Sequence, residues 1–333
     1  MTSGYYKVSI VTFYILETMD TRQLRYFAAI VEYGTLSSAA VNMRVAASAL
    51  SHHLTNLEAD LGVTLFERKP RGMEPTAAGH RLYEHAKLIL KAMRAAEADL
   101  REAGGEVAGA VSLGMAYSAV KAIGVDLVRR VIEDYPRLDL ALTESLSGAT
   151  LVNLMATDVD LALVYNPPSD PLLRTIPVLE ERMVLIGKEE IIGSSNDAIT
   201  FNELLELPLI MLRQGISARA IIDDVNLLKK IEGRTNLQMN SVQAIGGSLE
   251  AGLGCLIGTK LFMREQLARG TLHFRPIIEP ELYRTLHVCS LTNRPPTYAL
   301  EAVRNLILEL IATSVGNGQW EATLVADARV RHH

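Results

Sequence analysis

One face of a predicted helix near the start of the chain carries mostly short polar side chains. Its members are Ala47, Ser48, Ser51, His52 and Thr55. Hydroxyl and imidazole groups donate and accept hydrogen bonds, which is how side chains read base edges in the major groove of DNA. The chemistry that this face predicts is therefore recognition of nucleic acid rather than catalysis.

A group of basic residues follows at a predicted hairpin. Residues 65–68 and 73–75 have the pattern of two strands, and Arg68, Lys69 and Arg71 lie around the turn between them. Cations at such a tip suit contact with phosphates or with the minor groove. Because a charged turn is more often just solvated, the hairpin gains its meaning from the helices that precede it.

Three amphipathic helices must hold the polar face in position. Their apolar residues recur at helical spacing and are Leu24, Phe27, Ala28 and Val31, then Leu36, Ala39, Ala40 and Met43, then Leu50, Leu54, Leu57 and Leu61. Gly34 ends the first helix, and Thr35 or Ser37 can cap the second. Ala46 replaces a capping Ser or Thr before the third, which costs about 1 kcal/mol unless Ser48 substitutes. Apolar stripes alone indicate only a helical bundle, but with the hairpin they predict a winged helix-turn-helix.

This head resembles the N-terminal domain of LysR-type transcriptional regulators, and the rest of the chain fits that family to about residue 313. The matching stretches are QLRYF, the turn at 34–40 with its paired alanines, ALS at 49–51, LE at 57–58, LGVTLFER at 61–68, RG at 71–72 and PTAAG at 75–79. Residues 71–90 most resemble the nitrogen-assimilation-control branch, some members of which act without a coinducer. The resemblance implies a regulator that binds promoter DNA and responds to a small-molecule effector, with RNA polymerase as a possible further partner.

Two departures from the family bear on base recognition. The family usually has Gln at the position of Ala47 and Arg at that of His52. We therefore expect Ser48, Ser51 and the hairpin to carry more of the DNA recognition in this chain.

Size and charge agree with a regulator of several domains. The 333 residues suffice for two or three domains, 49% of them are hydrophobic, and the net charge is −5. Residues 20–80 contain six Lys and Arg against six Asp and Glu, so even the head is neutral. Affinity for DNA must then depend on a few placed charges and on binding as a dimer.

The first residues and the two cysteines predict a protein of the cytoplasm without a membrane segment. The apolar run at 8–16 is too short to span a bilayer and has no convincing cleavage site, so residues 1–18 are expected to be an N-terminal extension. Cys255 and Cys289 lie in apolar runs and are expected to be buried in a reducing compartment. A redox-sensing pair is the alternative, and it requires the two sulfurs to lie close together.

A long helix is predicted to follow the head, which spans residues 19–77. Thr76 can cap it, it runs to Gly104, and residues 78–105 are expected to be a linker that makes the chain a homodimer or homotetramer. The apolar residues alternate in steps of four and three, as in a coiled coil, and are Leu82, Ala86, Ile89, Met93, Ala96 and Leu100. Packing of this stripe on the chain's own core is the alternative.

Strands and helices alternate after residue 106 and predict an α/β fold with mostly parallel sheets. The strand candidates are 110–116, 138–144, 160–165, 183–187, 207–212 and 254–258, and the helix candidates are 120–134, 148–156, 218–231, 242–252 and 297–313. Their number indicates two lobes, 106–183 with 284–315 and 184–283, followed by a tail at 316–333. The family resemblance implies the same periplasmic-binding-protein-like effector domain.

Ligands of such sheets gather at the carboxyl ends of strands, where helix amides are free. The residues expected there are Tyr117, Ser118, Ser145, Ser147, Tyr165, Gln214, Ser217 and Ser241. They suggest a small polar or anionic effector held by neutral donors, its charge balanced by Arg213 or Arg219. For each serine alone, a helix cap is the simpler interpretation.

The sequence offers little to catalysis. Gly252 and Gly254 precede a strand, whereas a dinucleotide-binding loop follows one, and there is no G-x-S-x-G, P-loop or metal-ligand spacing. His80 and His85 lack the i, i+4 spacing of a metal pair, so no metal and no cofactor are expected. A solute-binding protein or enzyme that uses the head only for assembly is the competing hypothesis, and the basic hairpin argues against it.

Overall fold

A computed structural model of the chain describes residues 19–70, 72–101, 107–194, 197–212, 220–222, 224–235 and 237–325. The chain divides into two compact units, Met1–Glu97 and Ala98–His333. Several predictions lie outside the described residues: the extension at 1–18, Arg71, Gln214 and Ser217, and the alternatives Arg213 and Arg219.

The first unit begins with three helices and a hairpin. They are α1 (Thr21–Tyr33), α2 (Leu36–Met43), α3 (Ala47–Leu61), β1 (Phe66–Lys69) and β2 (Gly72–Pro75). Asp20 and Gln23 form a capping box at the start of α1, Gly34 ends it with a φ of 69°, and Thr35 caps α2. The apolar stripes of the three helices meet in one core, as predicted, and this confirms the helix-turn-helix head.

The hairpin is fixed to the head by two glycines. At Gly72 a Cβ atom would lie 2.4 Å from the carbonyl oxygen of Gly34, and the backbone φ is +140°. Met73 N donates to that same oxygen over 2.7 Å. At Gly79 a Cβ would lie 2.2 Å from the carbonyl oxygen of Leu65. Only glycine permits these approaches. The hairpin of β1 and β2, which is the wing of the head, is therefore held against the turn after α1.

The long helix α4 (Ala77–Arg101) starts inside the head's core. Ala86 is fully buried there, and Leu82 and Leu90 pack around it. The first part of the predicted seam therefore packs within the chain, as the alternative stated. Farther along, Ile89 is 38% and Leu100 80% exposed.

The second unit contains two α/β lobes, which confirms the predicted fold class. The first lobe consists of β3 (Ala108–Ala116), α5 (Tyr117–Ala119, a π-helical stretch Val120–Gly124, then Val125–Asp134), β4 (Arg137–Ser145), α6 (Ser147–Met155), β5 (Leu161–Tyr165), β6 (Leu173–Arg182), β13 (Tyr283–Leu291), α12 (Tyr298–Gly316) and β14 (Thr323–Leu324). Its strands form one sheet in the order β14-β6-β13-β5-β3-β4. α5 and α12 share one core with this sheet, and α6 packs on the sheet in another.

The second lobe lies between Arg182 and Tyr283 in the chain. It consists of β7 (Val184–Gly187), α7 (Glu189–Ile192), β8 (Ile199–Thr200), α8 (Phe201–Leu204), β9 (Ile210–Met211), α9 (Val225–Glu232), β10 (Leu237–Gln238), α10 (Val242–Glu250), β11 (Leu256–Gly258), α11 (Arg264–Ala268) and β12 (His273–Ile278). Four strands form a sheet in the order β11-β7-β12-β8, and β9 pairs with β10. Two connections therefore join the lobes, one on each side of the inserted segment.

Two expectations need correction. The sheets are mixed rather than mostly parallel, because β13 runs antiparallel to both β5 and β6 and β7 runs antiparallel to β11 and β12. The segment after residue 316 is not a free tail as far as the structure describes it. Trp320 is 1% exposed in the core of the first lobe, and Thr323–Leu324 pairs with β6.

Candidate DNA-binding and effector sites

The polar face of α3 points away from the core of the head. Ala47, Ser48, His52 and Thr55 are exposed and Ser51 is half-buried, while the opposite side of the helix, including Leu50 and Leu57, is fully buried. This arrangement leaves the predicted face open to a ligand.

The start of α3 offers unused donors. Ala46 occupies the cap position, and its side chain makes no hydrogen bond to the helix. First-turn amides without a cap attract phosphate oxygens, because they also lie at the positive end of the helix dipole. The uncapped start suits contact with a DNA backbone.

The side chains of the polar face make only local contacts. Thr55 Oγ1 donates to the carbonyl oxygen of Ser51 over 3.0 Å, and His52 Nε2 lies 3.3 Å from Asn56 Nδ2. Such contacts at an exposed surface are easily exchanged for others. These groups can therefore turn toward bases without disturbing the core.

The charges of the hairpin are not equivalent. Lys69 Nζ lies 2.7 Å from Glu67 Oε2 and 3.9 Å from Glu74 Oε2. The hydrogen bond and the charge of Glu67 raise the pKa of Lys69, and Lys69 in turn lowers the pKa of Glu67. Arg68 is exposed and makes no ion pair with any residue that the structure describes. Arg68 is thus the described wing cation that is free to meet a phosphate.

A cleft of about 540 Å³ separates the two lobes of the second unit. The first lobe contributes residues from the carboxyl ends of β3 and β4, namely Tyr117, Glu144, Ser145 and Leu146. The second lobe contributes Asn240, Val242, Gln243, Phe262, Met263 and Gln266. This is the edge at which α/β sheets hold ligands.

Predicted effector residues are divided between this cleft and the protein interior. Tyr117 and Ser145 line the cleft. Ser241 caps α10, where its hydroxyl accepts from the amide of Ala244. Ser147 is 4% exposed, and its hydroxyl accepts from the amide of Tyr165 over 3.2 Å. The simpler interpretation of Ser241 as a cap agrees with the structure, and the hydroxyl of Ser147 is taken by an internal bond.

Ser118 and Tyr165 belong to a buried polar cluster that sequence reasoning missed. Arg284, 9% exposed, donates from Nε to Glu181 Oε2 over 2.8 Å and from its second terminal nitrogen to Ser118 Oγ and Thr259 Oγ1, each over 3.1 Å. Its guanidinium carbon lies 3.6 Å from the ring centroid of Tyr165. Ser118 and Tyr165 therefore contact a buried arginine, and neither is among the described residues that line the cleft. This differs from the prediction that both contact the effector.

The cluster sits where the chain crosses between lobes. Glu181, 1% exposed, also accepts from Trp320 Nε1 over 2.8 Å. Burial opposes the charge of Arg284 and lowers its pKa, but Glu181 and Tyr165 together outweigh this effect and keep the pKa of Arg284 above its usual value. Burial raises the pKa of the Tyr165 hydroxyl well above its usual value, although Arg284 opposes this. Glu181 lies just before the first crossing and Arg284 just after the second, opposite each other on β6 and β13, so the ion pair joins the two points where the chain leaves the first lobe and returns to it.

The two cysteines lie in different cores. Cys255 is buried in the second lobe and Cys289 in the first. Burial raises the pKa of each thiol to about 12. The thiolate is the reactive form of cysteine, so neither side chain is placed or ionised for redox chemistry.

Among the described residues, no group of three or more His, Cys, Asp or Glu side chains could hold a metal ion. Nor does any helix within the described ranges have the length and apolar character needed to cross a membrane.

The sequence matches two protein families along most of its length. Residues 21–80 match the bacterial regulatory helix-turn-helix protein, lysR family. Residues 104–312 match the LysR substrate binding domain.

Similar proteins carry regulatory names. The nitrogen assimilation regulatory protein nac of Klebsiella aerogenes is 26% identical over 295 residues, which cover 88% of this chain and 96% of that protein. A probable RuBisCO transcriptional regulator of Nostoc sp. is 30% identical over 308 residues, or 89% of each chain.

Solved structures share the fold. A full-length OxyR variant from Pseudomonas aeruginosa has a TM-score of 0.65 at 21% identity, with 89% of this chain and 94% of that one covered. Full-length CbnR complexed with its target DNA has a TM-score of 0.62 at 23% identity, with 89% of this chain and 100% of that one covered.

Proposed function

The chain belongs to the LysR family of bacterial transcriptional regulators, and from that premise we propose which of its surfaces bind DNA and effector. It is a DNA-binding regulator with an effector-binding domain rather than an enzyme. Since the chromosome of a bacterium lies in the cytoplasm, we propose that the protein acts there.

We propose that α3 enters the major groove with Ser48, Ser51, His52 and Thr55 toward the base edges. The observation that carries this is the separation of the two sides of α3, one polar and open and the other buried. The uncapped start of the helix and Arg68 would bind phosphates on either side. Phosphate contacts position the helix, and the polar face then distinguishes sequences.

A neutral head needs a second head to bind DNA tightly, so we propose that the regulator works as a homodimer or homotetramer. Two apolar surfaces support this. Leu100 is 80% exposed near the end of α4, and on α5 Val125, Val128 and Ile132 are 75%, 40% and 69% exposed at helical spacing. A second copy of the chain would cover them, since exposed apolar stripes of this kind mark interfaces.

We propose that the cleft between the lobes binds a small effector. Its lining combines apolar and hydrogen-bonding side chains, as ligand sites do. The lobes also meet through polar contacts beside it, including Lys121 with Glu265 and Arg284 with Thr259. A ligand that favours one arrangement of these lobes over another would couple to DNA binding, typically by about 1–3 kcal/mol. Contact with RNA polymerase would follow at the promoter.

The DNA-binding surface is tested by a matched pair of threonine variants. Thr55 and Thr313 are both exposed helical residues whose hydroxyls donate to the carbonyl four residues earlier, over 3.0 and 2.9 Å. Genomic fragments captured by the purified full chain, once sequenced, should share a motif with two half-sites. Thr55→Val should change the preferred bases or weaken binding to the motif, while Thr313→Val should bind as the original protein does. Identical motifs and affinities for all three proteins would remove α3 from base recognition.

A further inference from the structure

Glu144 gives the described wall of the effector cleft a negative charge. It stands near the carboxyl end of β4 and is the one charged residue among those that line the cleft in the described part of the chain. Its side chain is exposed. It forms no ion pair or hydrogen bond with any described residue, so its carboxylate is free to bind a ligand.

The cations near the cleft are already engaged. The side chain of Lys121 is only 12% exposed, and its Nζ is bound by Glu265 and donates to the carbonyl oxygen of Phe262 over 3.3 Å. Arg284 is buried against Glu181. In the part of the wall that the structure describes, a carboxylate ligand would meet Glu144 without a free cation to balance it. The expectation of an anionic effector therefore lacks support from this wall.

The second lobe contains a hydrogen-bond acceptor without a partner among the described residues, the side-chain oxygen of Gln266. Gln266 lines the cleft, and its Oε1 is buried. A buried acceptor without a donor destabilises the protein, and a ligand N–H group that reaches it would satisfy it. Glu144 and Gln266 line the cleft from different lobes. The buried amide oxygen of Gln266 must turn toward the cleft before a ligand N–H group can bind it together with Glu144.

The remainder of the lining combines aromatic and apolar side chains with the neutral polar side chains of Ser145, Asn240 and Gln243. The rings of Tyr117 and Phe262 meet edge to face with centroids 5.3 Å apart, and Leu146, Val242 and Met263 complete the surface. The faces of aromatic rings attract cations and pack against hydrocarbon. A cleft of about 540 Å³ is too large for an ammonium group alone and leaves room for an apolar body.

We propose that the effector is a primary amine, whose ammonium group binds Glu144 and Gln266 and whose apolar body packs on Phe262 and Met263. The proposal rests on the cleft being the effector site of the proposed function. It names the class of ligand and makes Glu144 the residue that determines specificity. An ammonium group carries three N–H donors and one positive charge, which match a free carboxylate and an unpaired amide oxygen.

Calorimetric titration of the full-length protein with two matched pairs of probes tests the ligand class. Phenethylamine and 3-phenylpropionate share a body and differ in the sign of charge, and so do hexylamine and heptanoate. We expect each amine to bind at least about tenfold more tightly than its carboxylate partner. Glu144→Gln keeps the shape of the side chain and should weaken amine binding at least about tenfold. Asp139→Asn removes an exposed carboxylate from the other end of the same strand and should leave amine binding unchanged.

Three results would overturn the proposal: carboxylates that bind as tightly as the amines, amines whose affinity Glu144→Gln leaves intact, or no binding by any probe. Binding of the same samples to the captured DNA motif separates this from failure of the regulator assignment. If a carboxylate binds and Ser145→Leu abolishes that binding, the cleft remains the effector site and only the amine class is wrong.

Discussion

Replacing Glu181 by glutamine should destabilise the effector domain severely. The substitution keeps the size of the side chain but leaves the charge of Arg284 buried and uncompensated, because Glu181 is 1% and Arg284 9% exposed and the two lie 2.8 Å apart. Breaking a buried ion pair from one side typically costs about 3–5 kcal/mol. The remaining partners of Arg284 are the hydroxyls of Ser118 and Thr259 and the ring of Tyr165, none of which carries a charge that could replace the carboxylate.

The magnitude can be separated from other effects by two controls. Glu180→Gln changes the neighbouring residue on the same strand, where the side chain is exposed, and should alter stability by less than about 0.5 kcal/mol. Glu181→Leu combined with Arg284→Met removes both charges at once. The double variant should be more stable than Glu181→Gln, since it leaves no buried charge and its cost is the acceptor that Trp320 Nε1 loses.

Urea unfolding followed by fluorescence provides the measurement. The chain has one tryptophan, and Trp320 lies 1% exposed in the first lobe with its Nε1 bound to Glu181. Its emission therefore reports the effector domain and ignores unfolding of the head. If Glu181→Gln lowers the free energy of unfolding by less than about 1 kcal/mol, or if the double variant is no more stable than Glu181→Gln, the ion pair is not the buried, uncompensated contact described above.

Three further outcomes follow from the other sites. Arg68→Ala should weaken binding to all DNA sequences and reduce the slope of log affinity against log salt by about one unit, whereas Lys69→Ala should do less because Glu67 already engages that lysine; equal salt slopes for both variants would contradict this. Leu100→Glu should loosen the oligomer in light scattering without altering the unfolding of the effector domain, because the side chain is 80% exposed in the single chain; an unchanged mass would exclude this part of α4 from the interface. Burial raises the pKa of Cys255 and Cys289 to about 12, so the neutral thiols stabilise the fold below pH 9 and this stabilisation is lost as the pH rises toward 12. Alkylation of the folded chain should therefore stay slow near pH 9, where the thiols of the unfolded chain react. Equal rates for the folded and unfolded chain would contradict burial.

Local patterns predicted the head but missed several strands of the effector domain. The stripe of α1 and the turn at Gly34 depend on residues a few positions apart, so the sequence shows them directly. The strands β6, β12 and β13 were missed. β6 contains Pro177 and several charges, and the pairing of β6 with β13 depends on residues about a hundred positions apart, which periodicity does not reveal.

The candidate cleft shows where residue type alone is insufficient. Four serines have the same hydroxyl and similar positions after strands, yet the structure gives each a different role. Ser118 binds an arginine, Ser145 lines the cleft, Ser147 accepts from a backbone amide and Ser241 caps a helix. The role of each hydroxyl depends on residues that are distant in the sequence, as Arg284 is from Ser118. Glu144 was missed for the converse reason: within a strand of alternating polar residues, nothing local distinguishes a carboxylate that faces a cleft.

The ion pairs between the lobes and beside them limit the rearrangements that an effector can induce. Lys121 reaches from α5 to Glu265 beside the cleft, and Lys260 reaches Glu321 in the segment that carries Trp320. These ion pairs are largely exposed on at least one partner, so each contributes little and can be exchanged for water. The buried pair of Glu181 and Arg284 is different, because it joins β6 to β13 within the first lobe. Separating its charges would cost several kcal/mol, more than the about 1–3 kcal/mol of a typical allosteric coupling. Any change of arrangement that an effector induces should therefore break the exposed contacts between the lobes and leave the pair of Glu181 and Arg284 intact.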